Sequence, residues 1–449
     1  MDERMGPKAW RDAYAHPCNW EQAFAPLAMT DMFAASVAGH GPRALVDFLG
    51  RRFTYDQIAA EARCFASGLQ SLGIRKGDRV GLHMANVPAY LSAYFGAMIA
   101  GATVVNFSPL YSAAELRAQV ADSGTRLLVT VDVPALLPTA TEVLRTSSLE
   151  WLAVVRLSAQ LPFWQGLALR LFGRGQITPI PGAATVFEWD ELLLDRDPEP
   201  VAIDPEADIA LLQYTGGTTG APKGAMLTHQ NLTANARQIE AIDPHAHQRD
   251  VILGSLPLFH VFANACVLNR TICNGGMIAM QPRFKAGQAL AMVERTRVTA
   301  LPGVPTMFQA MLDDRRIART DFSSLFTCIS GGAPLAAPLK ARFEKQTGAK
   351  LVEGYGLTET AGVAATNPFD GREVPGSVGQ PLPGTDLRLL DRDDPQRDAA
   401  SGEAGELAIA GPQVMAGYWN RAGEDAFVTL EGRRWLRTGD VAVIDEDGY

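Results

Sequence analysis

Cysteine is scarce in this chain. Five occur in 449 residues, Cys18, Cys64, Cys266, Cys273 and Cys328, and no two form a C-x-x-C pair. That excludes a disulfide framework or a cysteine zinc site, and it fits a reducing, cytoplasmic compartment. Positive charge is also short: Lys+Arg is 40 against Asp+Glu 49, a formal net charge of −9, with no long basic run. A chain of that sign is a poor electrostatic partner for nucleic acid, and none is expected, although local basic sites for anionic ligands are compatible with it. The N-terminal MDERMGPKAWRD lacks the apolar stretch of a secretory signal, so the sequon Asn231-Leu232-Thr233 is expected to be accidental. Charge is missing altogether from Met84 to Ala114, a stretch long enough to span a bilayer. Its punctuation argues otherwise: Pro88 suits a helix start, Gly101 a helix end, and Thr103-Val104-Val105-Asn106-Phe107 a strand, while no positive flank supports a span. A buried helix followed by a buried strand is predicted.

What is present is the balance of an ordinary globular protein, 47% hydrophobic and 20% charged, at a length of two or three domains. Strands and helices alternate. Thr54-x-x-Gln57 is a capping box opening a helix to about Leu72; Asp78 to His83 is a strand; Ser112-x-x-Glu115 caps another helix, and Arg126 to Val131 is again a strand. The rhythm returns with strands at Asp208 to Tyr214, Val251 to Leu256 and Val298 to Leu301, and helices at His229 to Ala241, Gln288 to Arg295 and Leu335 to Thr347. This is the pattern of an α/β fold with mostly parallel sheets. After about residue 370, Gly, Pro and Asp become frequent, and Asp386 to Leu390, Gly405 to Ile409 and Val441 to Ile444 read as strands. The expected organisation is a first α/β subdomain over 1–200 with an N-terminal extension, a related second one over 201–370, and a smaller β-rich subdomain over 371–449.

The strongest chemical signal is Tyr214-Thr215-Gly216-Gly217-Thr218-Thr219-Gly220-Ala221-Pro222-Lys223-Gly224, directly after a predicted strand. Four glycines free backbone N–H groups to converge, three threonine hydroxyls add donors, and Lys223 adds a positive charge, which together suit a polyphosphate. It is not a standard P-loop, because Pro222 stands where that motif needs glycine, nor is it the dinucleotide fingerprint G-x-G-x-x-G.

This loop resembles the phosphate-binding loop of the adenylate-forming (AMP-binding) superfamily. Its members include acyl-CoA synthetases, luciferases and peptide adenylation domains. They activate a carboxylate with ATP to an acyl-adenylate, release pyrophosphate, and pass the acyl group to a thiol. Further motifs follow in the family's order. Gly331-Gly332-Ala333-Pro334-Leu335 resembles the loop lining the adenine pocket, and Glu353-Gly354-Tyr355-Gly356-Leu357-Thr358-Glu359-Thr360 resembles the second signature. The resemblance implies that Thr215, Gly216, Gly217, Thr219 and Gly220 hold phosphate with Thr218 and Lys223 acting in catalysis. It implies that Gly332, Ala333, Pro334, Tyr355 and Gly356 receive adenine, that Thr358 bonds the α-phosphate, and that Glu359 binds Mg²⁺. Asp440, in Leu436-Arg437-Thr438-Gly439-Asp440, would accept the ribose hydroxyls. His260, in Pro257-Leu258-Phe259-His260-Val261-Phe262, would sit beside the reacting carboxylate, and the uncharged run from Val251 to Asn269 fits a tunnel wall or a buried strand. Gly217, Thr366-Asn367-Pro368 and Gly411 to Asn420 resemble the bacterial long-chain fatty-acyl-CoA ligase branch. ATP, Mg²⁺ and CoA are the cofactor and co-substrates this implies.

In the family a hinge and a small C-terminal lid bearing a lysine follow the Thr-Gly-Asp motif, whereas this sequence reaches Tyr449 with Lys350 as its last lysine. The expectation is a large N-terminal unit without its lid, with weak adenylation and poor thioester formation on its own. Two readings compete with the fatty-acid ligase: a ligase for an aryl or shorter-chain acid, and a nucleotide- or acyl-binding module without turnover. One segment stands apart. Residues 157–175, LSAQLPFWQGLALRLFGRG, are apolar, aromatic and basic, and read either as a hairpin or helix packed on its own domain or as a peripheral contact with a membrane's inner face.

Overall fold

The computed structural model describes residues 12–173, 175–216, 222–246, 248–400, 402–421 and 426–449. Local capping starts its helices where side chains can reach back to the backbone. The Gln57 N–H donates to Thr54 Oγ1 at 3.1 Å and the Thr54 N–H to Gln57 Oε1 at 2.9 Å, opening the helix Tyr55–Ser71. Ser112 and Glu115 make the same reciprocal pair at the head of Ala113–Ser123. The uncharged stretch forms the helix Pro88–Ile99 and the strand Thr103–Asn106. Every residue from Pro88 to Met98 is buried. Among the described residues no helix is long and apolar enough to cross a membrane.

Two large sheets flank the helices Tyr55–Ser71 and Pro88–Ile99, while Ala113–Ser123 packs on the other face of the eight-stranded one. An eight-stranded sheet runs, edge to edge, through Gly417–Tyr418, Gly224–Thr228, Ile209–Tyr214, Thr103–Asn106, Arg79–His83, Thr125–Val131, Trp151–Val155 and Val186–Glu188. Its last six strands are parallel and the first two pairings antiparallel. A nine-stranded sheet has a parallel centre running Ala44–Phe48, Met277–Met280, Val251–Gly254, Ala300–Gly303, Thr327–Ser330 and Lys350–Tyr355. A four-stranded antiparallel sheet joins Asp386–Leu390, Gly405–Ala410, Arg433–Ala442 and Phe427–Leu430. The fold is thus α/β, with two parallel-dominated sheets and a small antiparallel one. One core cluster reaches from Val46 and Phe48 on the larger sheet to Val80 and Leu82 on the other.

The sheets divide the chain differently from the sequence segments expected at 200 and 370. Ala44–Phe48, early in the chain, pairs in parallel with Met277–Met280. Ile209–Tyr214 pairs in parallel with Thr103–Asn106. Strands buried on both faces need a partner on each edge, and that demand is met across the chain rather than along it. Two local expectations shift as well. The strand expected at Val441 to Ile444 is the end of a ten-residue strand, Arg433–Ala442. The uncharged run after Val251 is only briefly a strand, Val251–Gly254. It then turns through Val261–Ala263, a π-helical turn Asn264–Asn269 and Arg270–Asn274. Residues 264–272 are buried on every side, so no helical stripe marks them in sequence.

Candidate active site

The parallel strands Thr327–Ser330 and Lys350–Tyr355 run side by side with Ser330 opposite Glu353. Their carboxyl ends carry the turns at Gly331 to Pro334 and at Tyr355 to Thr358, which is where open α/β sheets bind ligands. The Leu335 N–H donates to Glu353 Oε1 at 3.2 Å and ties the two turns together. Burial raises the Glu353 pKa against that bond. Gly332 has φ +76°, and with Ala333 and Pro334 it is exposed, so bare backbone faces outward there. Gly356 is required by packing: a Cβ on it would lie 1.8 Å from the Gly362 carbonyl oxygen.

His260 caps the short turn Val261–Ala263 that follows Val251–Gly254, a strand two places along the sheet from Thr327–Ser330, its Nδ1 accepting the Phe262 N–H at 3.4 Å. The Phe262 ring lies against Gly331, 3.0 Å from where a Cβ would stand, so the His260 loop abuts the Gly331 turn. The His260 ring reaches solvent, yet surrounding protein lowers its pKa by desolvation. It is therefore neutral at neutral pH.

Ile209–Tyr214 and Gly224–Thr228 form an antiparallel hairpin whose connection is the glycine-rich loop. Gly217, Thr218, Thr219 and Gly220 lie outside the described residues. Thr215 and Lys223 close the loop's base: the Thr215 N–H donates to the Lys223 carbonyl at 2.9 Å, and the Lys223 N–H to Thr215 Oγ1 at 3.4 Å. Gly216 is exposed beside them. The hairpin is anchored on Asp122, which accepts the Tyr214 hydroxyl at 2.6 Å on its carboxylate and the Trp419 indole N–H at 3.0 Å on its carbonyl.

A residue that sequence reasoning did not single out links this hairpin to the second signature. Gly417–Tyr418 adds to Gly224–Thr228 as an antiparallel strand. The Tyr418 ring then lies 5.1 Å from Lys223 Nζ, a cation–π distance. Its hydroxyl donates to Glu359 Oε1 at 2.5 Å, and the Met415 N–H donates to the Glu359 carbonyl at 2.8 Å. Thr215, Lys223, Tyr418 and Glu359 thus form one chain of contacts, with Thr358 beside Glu359 in the turn Thr358–Thr360. The only sequence signal for Tyr418 is the Gly-Tyr-Trp run itself. Nothing local connects it to Lys223.

Asp440 arrives from the four-stranded sheet on the strand Arg433–Ala442. It is exposed, and its Oδ2 accepts the Tyr355 hydroxyl at 2.6 Å. Burial, and after it the hydrogen bond to the Asp440 carboxylate, raise the Tyr355 pKa, so the phenol stays a proton donor. The turn is braced from below, with the Asp440 N–H donating to Thr438 Oγ1 at 3.1 Å and the Thr438 hydroxyl to the Leu407 carbonyl at 2.7 Å.

Among the described residues no group of three His, Cys, Asp or Glu is placed to hold a metal ion. Glu359 beside a phosphate-type loop is still a fitting partner for Mg²⁺, which takes one or two carboxylates and otherwise prefers water and substrate phosphates. A small cleft is lined by Ile239, Ile242, Ile329, Val363 and Phe369, together with the buried Arg270. Arg270 is itself held by Asp243 and by Asp250 at 2.5 Å.

A family model described as AMP-binding enzyme matches residues 33–419. The chain is 35% identical over 447 residues to a long-chain-fatty-acid–CoA ligase of Bacillus subtilis (strain 168), which covers 98% of this chain and 79% of that protein. It is 35% identical over 402 residues to a feruloyl-CoA synthase of Amycolatopsis sp, covering 89% of this chain and 73% of that one. The crystal structure of a long-chain-fatty-acid-CoA ligase from Archaeoglobus fulgidus superposes with a TM-score of 0.81 at 25% identity, over 95% of this chain and 84% of the other.

Proposed function

The chain belongs to the AMP-binding enzyme family, and from that premise we propose that it is a fatty-acid–CoA ligase acting on long chains. A carboxylate oxygen attacks the α-phosphorus of ATP, the bond to the β-phosphate's bridging oxygen breaks, and pyrophosphate leaves. The CoA thiolate then attacks the acyl carbon and AMP leaves. The observation that carries this reading is the contact chain Lys223–Tyr418–Glu359, which sets a cation and a carboxylate on either side of one phenol beside the glycine-rich loop.

In this reading Thr215, Gly216 and the loop residues Gly217, Thr218, Thr219 and Gly220 cradle the phosphates, with Lys223 offsetting their charge. Thr358 donates to the α-phosphate. Glu359 would hold Mg²⁺, which supplies charge neutralisation on the phosphate oxygens. Adenine lies on the exposed backbone of Gly332, Ala333 and Pro334 against Tyr355 and Gly356. Asp440 accepts the ribose hydroxyls, already oriented by Tyr355. His260, neutral, orients the incoming carboxylate, and the acyl chain lies towards the cleft of Ile239, Ile329 and Val363. The names of the relatives support the acid as a fatty acid; the feruloyl-CoA synthase similarity favours an aryl acid as the second reading.

Trapping the acyl-adenylate with hydroxylamine tests this. With ATP, Mg²⁺ and a fatty acid the chain is expected to form hydroxamate, and Glu359→Ala to lower the rate about a hundredfold or more. ATP binding with no hydroxamate from any acid would leave a binding module instead. A series from aryl and short acids to long fatty acids separates the two substrate readings. We further propose that the protein works in the cytoplasm with a peripheral contact to the membrane through residues 157–175.

A further inference from the structure

The helix Phe163–Phe172 is apolar on the side that faces water. Phe163 is 73% exposed, Trp164 75%, Leu167 37%, Leu171 61% and Phe172 81%. Phe163, Trp164, Leu167 and Leu171 fall within one arc of roughly 100° at the helical repeat. The side next to that arc is what the fold grips. Gly166 is buried, and a Cβ on it would lie 2.3 Å from the Ser158 carbonyl oxygen, so this face presses directly on the short helix Leu157–Gln160. An ordinary surface helix buries its apolar stripe and shows its polar one. Here a glycine turns inward and the aromatic residues turn outward.

Along the chain the charge has one sign, while across the fold Asp132 and Glu188 lie near enough to feel the Arg170 charge. From Leu157 to Phe187 the sequence holds no Asp or Glu and two arginines, in a chain of net charge −9. Arg170 donates to Ser158 Oγ at 2.9 Å, and Arg51 donates to the Ala159 carbonyl and to the Leu161 carbonyl at 3.2 Å. Both side chains are exposed, so two guanidinium groups stand at the base of the apolar arc. We propose that this helix docks the protein on an anionic phospholipid surface, with Phe163, Trp164, Leu167, Leu171 and Phe172 in the headgroup–acyl boundary and Arg51 and Arg170 on lipid phosphates. A ten-residue helix, about 15 Å long, is small for the ~800 Å² per partner of a stable protein interface. An interfacial helix needs only its own apolar face immersed by about 5–10 Å. This deepens the fatty-acid reading, on which only its purpose rests: it holds the enzyme where long acyl chains partition.

The test is flotation of the full chain with vesicles of phosphatidylglycerol and phosphatidylcholine, or of phosphatidylcholine alone. Binding is expected on the anionic vesicles and at least tenfold weaker on the neutral ones. The triple variant W164S/L171S/F172S is expected to bind anionic vesicles at least tenfold more weakly at an unchanged thermal midpoint. Fluorescence quenching by brominated lipid is expected in the parent chain and not in W164F. Hydroxamate formation from a water-soluble short acid, read in parallel, is expected to be the same in the triple variant and the parent, which separates a failure of docking from a failure of the enzymatic reading. The proposal is overturned if the parent chain does not float with anionic vesicles, or if the triple variant floats equally well. It is also overturned if light scattering shows a dimer that the triple variant splits, since a second copy would then cover this face.

Discussion

Two helices in this protein are built almost wholly of apolar residues and meet opposite fates. Pro88–Ile99 is enclosed, with Phe95 stacked on Phe33 at 4.0 Å between ring centroids. Phe163–Phe172 leaves five large apolar side chains in solvent. Each presses a glycine against backbone. A Cβ on Gly96 would stand 2.7 Å from the Ala62 carbonyl oxygen, and one on Gly166 2.3 Å from that of Ser158. In both helices the glycine marks the face that docks on backbone. What differs is the remaining circumference, which a second layer covers in one and, among the described residues, nothing covers in the other. Apolar content says that a helix has a face to hide, and the number of layers around it decides whether the fold hides it.

The largest expected effect tests that contrast at matched positions. Phe95→Ala should cost about 3–5 kcal/mol in urea unfolding, because a wholly buried ring leaves a cavity. Acid should come next. Burial lowers the pKa of His16, His83 and His229 to about 4 each, while an unfolded histidine titrates near 6.5. Their folded values lie below the unfolded one, so the stability they contribute is present above pH 6.5 and is lost as pH falls towards 4. Unfolding at a pH of about 4.5 should show roughly 2–3 kcal/mol less stability per histidine than at about 7. Vesicle binding should depend far less on pH over this window, since none of these three histidines lies on Phe163–Phe172. A change in binding parallel to the stability loss would break the comparison.

A smaller effect is expected at Tyr90, whose single hydroxyl proton is shared between Asn106 Oδ1 at 2.7 Å and the Leu258 carbonyl at 3.1 Å inside the core. Tyr90→Phe removes that proton from a buried acceptor pair and should cost about 1–3 kcal/mol by denaturant titration. The smallest is Trp164→Ala, within about 0.5 kcal/mol of the parent in the same measurement. A cost as large as that of Phe95→Ala would mean that the exposed helix is packed after all.

Much of this architecture was legible where its cause is local. Thr54 with Gln57, and Ser112 with Glu115, announce helices because a cap needs only residues three apart. The glycine-rich loop is readable because its composition is its chemistry. Tyr418 is not, because its role comes from Gly417–Tyr418 pairing with a distant strand. Nor is the assignment of Ala44–Phe48 to the larger sheet, which depends on which strand edges remain open. The turn Asn264–Asn269 is hidden for a third reason: burial on all sides erases its period. The sequence of 157–175 shows its apolar content plainly, but which side faces out depends on the backbone contact of Gly166.

The interleaving of the sheets has a consequence for how the chain is made. At roughly 5–20 residues per second, Ala44–Phe48 would emerge from a ribosome some ten to fifty seconds before Met277–Met280, its parallel neighbour, exists. The hairpin bearing Lys223 likewise waits for Gly417–Tyr418. Contacts of such long sequence separation make folding slow and leave apolar strand edges open meanwhile. The nascent protein should therefore lean on chaperones, and the link between Lys223 and Glu359 through Tyr418 should be among the last parts to form.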